Sequence, residues 1–254
     1  AVAAAGLAGH ATGLARAIDT RAAVGIGMAL HAEGAARVAG QRFAVNAAAI
    51  NALRAAIDTA RAGSTAAGRF TAHSHRRGHA VHTIACDVQD HEAVAQAFAS
   101  LPESFAQVDA LVNNAGLMLG VGTFETLTPS QMHTMVMTNC MGVLHNTSVL
   151  LPSLRTSANG HIVNVTSVAA FYPYVTGHVY AATKAFVEHF GANLRTELAA
   201  SGIRVTNIAP GRTDTEFHQI RAGAVRPQNA TPHGTPVLRA TEVAEAVMWA
   251  LDQP

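Results

Sequence analysis

Val108-Asp109-Ala110-Leu111-Val112, followed by Asn113-Asn114-Ala115-Gly116, is the stretch on which the fold turns. A short, mostly apolar run broken off by small polar residues reads as a buried strand that stops at a loop. The same grammar recurs on both sides. Upstream, Val81–Cys86 is an apolar run ending at Asp87, and His91–Leu101 has helical spacing. Downstream, Ser130–Leu154 is a long helical stretch, and His161–Val165 is β-branched and alternating, ending at Thr166-Ser167. Tyr180–Ala200 is a second long helix closed by Gly202. Ile203–Ile208 is a strand that stops at Pro210-Gly211, and Thr241–Leu251 is a final helix. Apolar strands alternating with helices imply an α/β fold, a parallel sheet covered by helices on both faces. In such sheets ligands bind at the carboxyl ends of the strands, where Asp87, Asn113 to Gly116, Ser167 and Pro210-Gly211 all fall.

The 254 residues fit one such domain, with no internal repeat and no second boundary. Hydrophobic residues make up 49% and charged residues 13%, and the formal net charge is +1 without blocks of like sign, so no nucleic-acid or acidic-membrane partner is indicated. Cys86 and Cys140 both lie in apolar segments, which speaks against a disulfide framework and fits a reducing cytoplasm. Ala1 to Ala17 lacks the basic-then-apolar order of a secretory signal, and no apolar run reaches membrane-helix length. His73, His75, His79 and His82 cluster in sequence but have no matching cysteine or carboxylate set, so no metal site is expected.

The first 80 residues follow the grammar less well. Alanine makes up roughly a third of them. The candidate strand Leu14–Thr20 carries Arg16 and Asp19, Asn46–Ala62 reads as an alanine-rich helix, and Gly63–Gly78 reads as an exposed loop.

The chemistry concentrates downstream. Of 17 basic residues, one alone is a lysine, Lys184. It stands four residues after Tyr180 on one helix, so both side chains leave the same face. A cation near a phenol favours the phenolate and brings its proton exchange toward neutral pH. Ser167, at a strand end, offers a hydroxyl to a substrate oxygen facing that tyrosine. Asn139, among Met135, Val136, Met137 and Met141, is either a buried hydrogen-bonder or a polar residue of an exposed face.

Taken together, these residues resemble the short-chain dehydrogenase/reductase family over about His79 to Pro254. The resemblance rests on Asn113 to Gly116, Asn139 in Asn139-Cys140-Met141-Gly142, Ser167, the Tyr180/Lys184 pair, and Pro210-Gly211 with Thr215. Within the family, Leu111–Gly120, Val179–Leu198 and Arg204–Phe217 are most similar to the NADP-dependent 3-hydroxy acid (serine/allo-threonine-type) dehydrogenases. The resemblance implies a single-domain Rossmann-type doubly wound sheet over residues 1–254, with 217–240 as a substrate lid. It implies hydride transfer between a nicotinamide and a secondary alcohol or carbonyl. Tyr180 would be the acid–base group. Lys184 would lower its pKa and bond the ribose, Ser167 would hold the substrate oxygen, and Asn139 would anchor a relay water. Asn113, Ala115 and Gly116 would line the cofactor cleft, Asp87 and Val88 would contact the adenine, and Pro210, Gly211 and Thr215 would lie by the nicotinamide. A cytoplasmic homodimer or homotetramer, assembled through the two long helices, is the family expectation.

The pattern is broken in places. The phosphate loop Thr-Gly-x-x-x-Gly-x-Gly matches Thr20 to Gly27 with Gly25, Ile26 and Gly27 in position, but Arg21 replaces the first glycine. Either Arg21 contacts phosphate in an altered loop, or cofactor binding is weakened. The latter leaves room for a catalytically weak relative that senses nucleotide or binds a partner. The family pattern also adds a strand after the last helix, whereas this sequence stops at Pro254. Arg42 falls near the end of the expected second strand, and no Asp or Glu occurs between Gly34 and Ile57, which favours NADP over NAD. Arg42→Ala is expected to weaken NADPH binding more than NADH binding in a fluorescence titration, and equal losses would remove Arg42 from the site.

Overall fold

The computed structural model describes residues 23–25, 43–45, 81–84, 86–215, 217 and 236–254. Six parallel strands form one sheet: β1 (Ala23–Gly25), β2 (Phe43–Val45), β3 (Val81–Thr83), β4 (Ala110–Asn113), β5 (His161–Val165) and β6 (Arg204–Ile208), in the order β3-β1-β2-β4-β5-β6. A separate two-stranded ribbon pairs β7 (Thr213–Asp214) with β8 (Leu238–Arg239). The helices are α1 (His91–Ala99), α2 (Pro129–Val136), α3 (Gly142–Thr156), α4 (His178–Leu198) and α5 (Ala240–Asp252).

The helices start where local chemistry starts them. Asp90 caps α1 by accepting from the amides of Glu92 (2.9 Å) and Ala93 (3.2 Å). Thr128 and Gln131 close a capping box around α2, with Pro129 in its first turn. Past α4, Gly202 turns the chain into β6 at φ +73, a conformation that suits only glycine comfortably.

Alternation along the strands divides the core into two layers. Leu111, Ile162 and Val205 face Leu150 and Leu154 of α3 and Leu194 and Leu198 of α4. On the other face, Ala110, Val112 and Val163 meet Val247, Met248 and Leu251 of α5. Each large side chain so buried contributes about 1.5–3 kcal/mol. These two layers clamp β4, β5 and β6, and so fix the strand ends that carry the site.

An asparagine ladder crosses the same three strands. Asn113, Asn164 and Asn207 stand in register. Asn113 donates to Asn164 Oδ1 and Asn164 to Asn207 Oδ1, each at 3.0 Å, and Asn207 ends the row on the carbonyl (2.8 Å) and carboxylate (2.9 Å) of Glu188. Buried amides persist only when paired in this way. Gly191 of α4 makes the room, because a Cβ there would stand 2.1 Å from Asn207 Oδ1.

The early strands depart from the sequence reading. β1 lies at Ala23–Gly25 and ends on Gly25, whereas the sequence reading placed a candidate strand at Leu14–Thr20, outside the described residues. The physical reason is that Arg16 and Asp19 interrupt the earlier segment, whereas Ala22 to Leu30 is free of charge and suits a strand buried on both faces. β2 begins at Phe43, so Arg42 precedes the strand and does not end it, and β2, not β1, lies against β4. Thr20, Arg21, Ile26, Gly27 and Arg42 themselves lie outside the described residues, as do Leu14–Thr20, Asn46–Ala62 and Gly63–Gly78. At the other end, Leu238 and Arg239 form β8 and Ala240 opens α5, so the segment read as a lid is shorter than 217–240, and most of it lies outside the described residues.

Gly191→Ala is expected to destabilise the fold by about 1–3 kcal/mol through overpacking against the ladder, read as a lower urea midpoint with an unchanged slope.

Candidate active site

Between α2 and α3 the helix widens into one π turn, Met137–Met141, which contains Asn139. Such a turn inserts a residue into the helix and changes the direction its side chains take. Asn139 is thereby 1% exposed. Its Oδ1 accepts from the Leu117 amide and its Nδ2 donates to the Leu117 carbonyl, both at 2.8 Å. Nδ2 also donates to Thr183 Oγ1 at 2.9 Å, and Thr183 in turn donates to the Tyr180 carbonyl at 2.7 Å. One side chain thus ties the loop after β4 to the helix of Tyr180 and Lys184. The exposed-face alternative for Asn139 is thereby excluded.

Ser167 leaves β5 in an extended conformation and caps the short turn Val168–Ala170, accepting from the Ala169 amide at 3.1 Å. Its hydroxyl also bonds the phenol of Tyr180. Tyr180 is 9% exposed, and burial pushes its phenol up to about 12, against the opposing pull of the Ser167 hydrogen bond. The sequence reading expected Lys184 to hold this phenol down. In the structure the ammonium stands 6.0 Å from the Tyr180 ring centroid, and desolvation dominates instead. Lys184 is buried as well, which lowers its ammonium to about 8, and Nζ donates to the Val165 carbonyl at 2.8 Å.

Other residues singled out in the sequence take varied places. A Cβ at Gly116 would stand 3.2 Å from Lys184 Nζ and 3.5 Å from Asn139 Oδ1, so the backbone there lies bare beside both. Ala115 is buried against Val88 and Val94. Asn113 belongs to the ladder, and its amide also bonds Thr147 at 3.2 Å, so its side chain supports the cleft without lining it. The Val88 side chain is committed to the core and its carbonyl to His145 Nδ1 (2.9 Å), while Asp87 is exposed and accepts from the Gln89 amide. Pro210 accepts the Val168 amide at 3.0 Å, which places the end of β6 beside Ser167. Thr215 accepts from the Phe217 amide at 3.3 Å.

The sequence reading missed Thr183. Thr183 joins Asn139 to the Tyr180 backbone, and its only signal was its place directly before Lys184. Phe217, read as part of the lid, lies 5.4 Å from the Tyr180 ring, tilted at 60°. The aromatic residues after Ser167, Phe171, Tyr172 and Tyr174, are all exposed, and the Tyr174 hydroxyl reaches Met118 Sδ at 3.7 Å. Among the described residues no group of three or more His, Cys, Asp or Glu could hold a metal ion.

Residues 22–223 match the model of the short chain dehydrogenase family. The chain belongs to that family. Serine 3-dehydrogenase of Agrobacterium fabrum is 41% identical over 74% of this chain and 76% of its own length. Sulfoacetaldehyde reductase of Chromohalobacter salexigens is 43% identical over 68% of this chain and 70% of its own. Among solved structures, the closed form of a serine dehydrogenase complexed with NADP+ superposes with a TM-score of 0.66 at 31% identity, covering 84% of this chain and 80% of that one. The family match reaches back to residue 22, although the motifs legible in sequence began near His79.

With only three tyrosines in the chain, the state of Tyr180 can be read by difference. Ultraviolet titration of the protein without added nucleotide, compared with Tyr180→Phe, is expected to show no phenolate from Tyr180 until the pH approaches about 12. A transition near neutrality would mean that Lys184 governs the phenol after all.

Proposed function

We propose that the protein is an NADP(H)-dependent oxidoreductase that moves a hydride between the nicotinamide and a secondary alcohol or carbonyl carbon of a small 3-hydroxy acid or its keto partner. The observation that carries this reading is a buried phenol beside Ser167, set one helical turn from a buried lysine that bonds the end of the strand before Ser167.

The residues present fit a dinucleotide. The backbone at Gly116 has no side chain where a Cβ would crowd Lys184 and Asn139, and Lys184 spends one N–H on Val165, leaving two for ribose hydroxyls. Tyr180, Lys184 and the backbone of Ala115, Gly116, Pro210 and Gly211 would hold the nicotinamide end. When bound, the cofactor supplies the hydride. The protein's own share is proton management. In reduction, Tyr180 Oη delivers its proton to the carbonyl oxygen while Ser167 donates a hydrogen bond to the same oxygen. The Lys184 ammonium stabilises the phenolate that results, and reversal makes Tyr180 the base. Asn139 would anchor a water for reprotonation, and its side chain, committed to Leu117 and Thr183, holds the two segments around it together.

NADP is supported by the serine dehydrogenase structure, which holds NADP+, and a small acid by the relatives named for serine and sulfoacetaldehyde. A weak nucleotide sensor would have no use for this connected array. The reading includes one catalytic domain, a cytoplasmic setting and assembly as a homodimer or homotetramer through the long helices. Phe186, exposed on α4 and stacked on Phe190 at 6.3 Å, supports that assembly. No described helix is long and apolar enough to cross a membrane.

Tyr180→Phe is expected to lower turnover of 3-hydroxy acids at least about 100-fold, with nicotinamide-fluorescence binding of NADPH retained. Unchanged turnover removes Tyr180 from the chemistry. Failure of the wild-type protein, at its expected intact mass, to bind NADPH removes the oxidoreductase reading.

A further inference from the structure

The chemistry above makes no use of the cation that follows the end of β6. Thr166 pairs its amide (2.7 Å) and its hydroxyl (3.1 Å) with the Ile208 carbonyl, and the Val168 amide bonds Pro210. The segment from Pro210 onward therefore starts beside Ser167. Seven residues later it carries Phe217 onto the Tyr180 ring. Arg212 lies on this arc, which flanks both groups that meet the reacting oxygen. Its backbone is pinned, since its carbonyl accepts from the Leu238 amide at 2.8 Å and Thr213 begins β7. Beside it the space is open: a Cβ at Gly211 would meet nothing within 4 Å.

Arg212 Nε is shut off from water and finds no acceptor among the described residues. A guanidinium N–H left that way is costly, and buried donors in folded proteins are ordinarily satisfied by protein, water or ligand. Neither the carboxylate of β7 nor the one in the first turn of α5 supplies the missing acceptor. Asp214 is exposed, and Glu242 is engaged by Arg239 at 3.5 Å. An arginine fork presents parallel donors that match a planar or trigonal oxyanion. A small hydroxy acid whose alcohol oxygen lies between Ser167 and Tyr180 has its acid group only a bond or two from the reacting carbon, on the scale of one arginine side chain.

We propose that Arg212 binds the acid group of the substrate, carboxylate or sulfonate, and so makes the enzyme select anionic alcohols and carbonyls over neutral ones. This rests on the oxidoreductase reading for its location and goes beyond it in naming the residue that reads charge. Arg212 is a specificity residue, and the proton stays with Tyr180.

The test compares 3-hydroxybutyrate with its methyl ester, which keeps the carbon skeleton and removes the charge. Calorimetric binding to the NADP+-loaded protein and steady-state rates are measured for wild type, Arg212→Leu and Arg212→Lys, with Arg212→Gln replacing the leucine variant if that one does not fold. In Arg212→Leu the acid is expected to lose roughly 100-fold in affinity and in kcat/KM through KM. The ester should change less than about twofold, NADPH binding should be unchanged, and Arg212→Lys should recover much of the loss by restoring the charge. Equal effects on acid and ester overturn the proposal, as does no effect on either. Loss of NADPH affinity in Arg212→Leu overturns it too, by assigning the arginine to a cofactor phosphate. Wild-type protein that binds the acid through Arg212 but does not turn it over keeps the proposal and sinks the catalytic reading. Wild-type protein that oxidises the ester but does not bind the acid does the reverse.

Discussion

A buried ammonium has to be satisfied, and the candidate active site of this protein is arranged around the way Lys184 is satisfied. Its Nζ donates to the carbonyl of Val165, the last residue of β5. Burial still lowers the ammonium to about 8, so the charge is held at a cost that the surroundings offset only partly. Satisfying it constrains three elements at once. α4 must lie over the end of β5, the backbone after β4 must be bare at Gly116, and the π turn must bring Asn139 between them. Tyr180 and Ser167 then fall beside the same strand end, because they sit on the helix and strand that this one contact ties together.

The sheet beneath supplies the stiffness. Strand alternation commits one face of β4, β5 and β6 to α5 and the other to α3 and α4. At one register position that second face carries asparagines instead of aliphatic side chains. The amide row spans the three strands whose ends bear Gly116, Ser167 and Pro210, so a shift of one strand past another would break its hydrogen bonds. Gly191 lets the helix lie over the row, and Glu188 closes it. Polar groups buried in this way specify a register more sharply than interchangeable aliphatic contacts would.

Much of this was legible because the downstream residues obey short-range rules. The β-branched run His161–Val165 became β5 with the same bounds, and Tyr180 and Lys184 became helical neighbours because 3.6 residues per turn leaves no alternative. The first third was not legible. Its glycines suggested a loop by spacing, and the strand Ala23–Gly25 ends on the first of them that the sequence reading had placed there. Glycine spacing reports where a tight turn is allowed, not where the sheet needs a strand. The order of β1 and β2 was invisible for a related reason: strand order depends on which faces must be covered, and no local pattern records it.

The sequence by itself determined the alternation of strands and helices, the polar residues at the strand ends, and the candidacy of Ser167, Tyr180 and Lys184, because these follow from periodicity and from residue types that few folds place together. The tertiary structure alone decided how deeply those groups are buried. Spacing put Tyr180 and Lys184 on one helical face, but only the packed sheet and helices decided that both are buried there. The tertiary structure also decided that Asn139 spends its side chain on Leu117 and Thr183 and that Arg212 lies on the arc between Ser167 and Tyr180. Both are contacts between segments far apart in sequence, and they exist only once the sheet and its helices have closed.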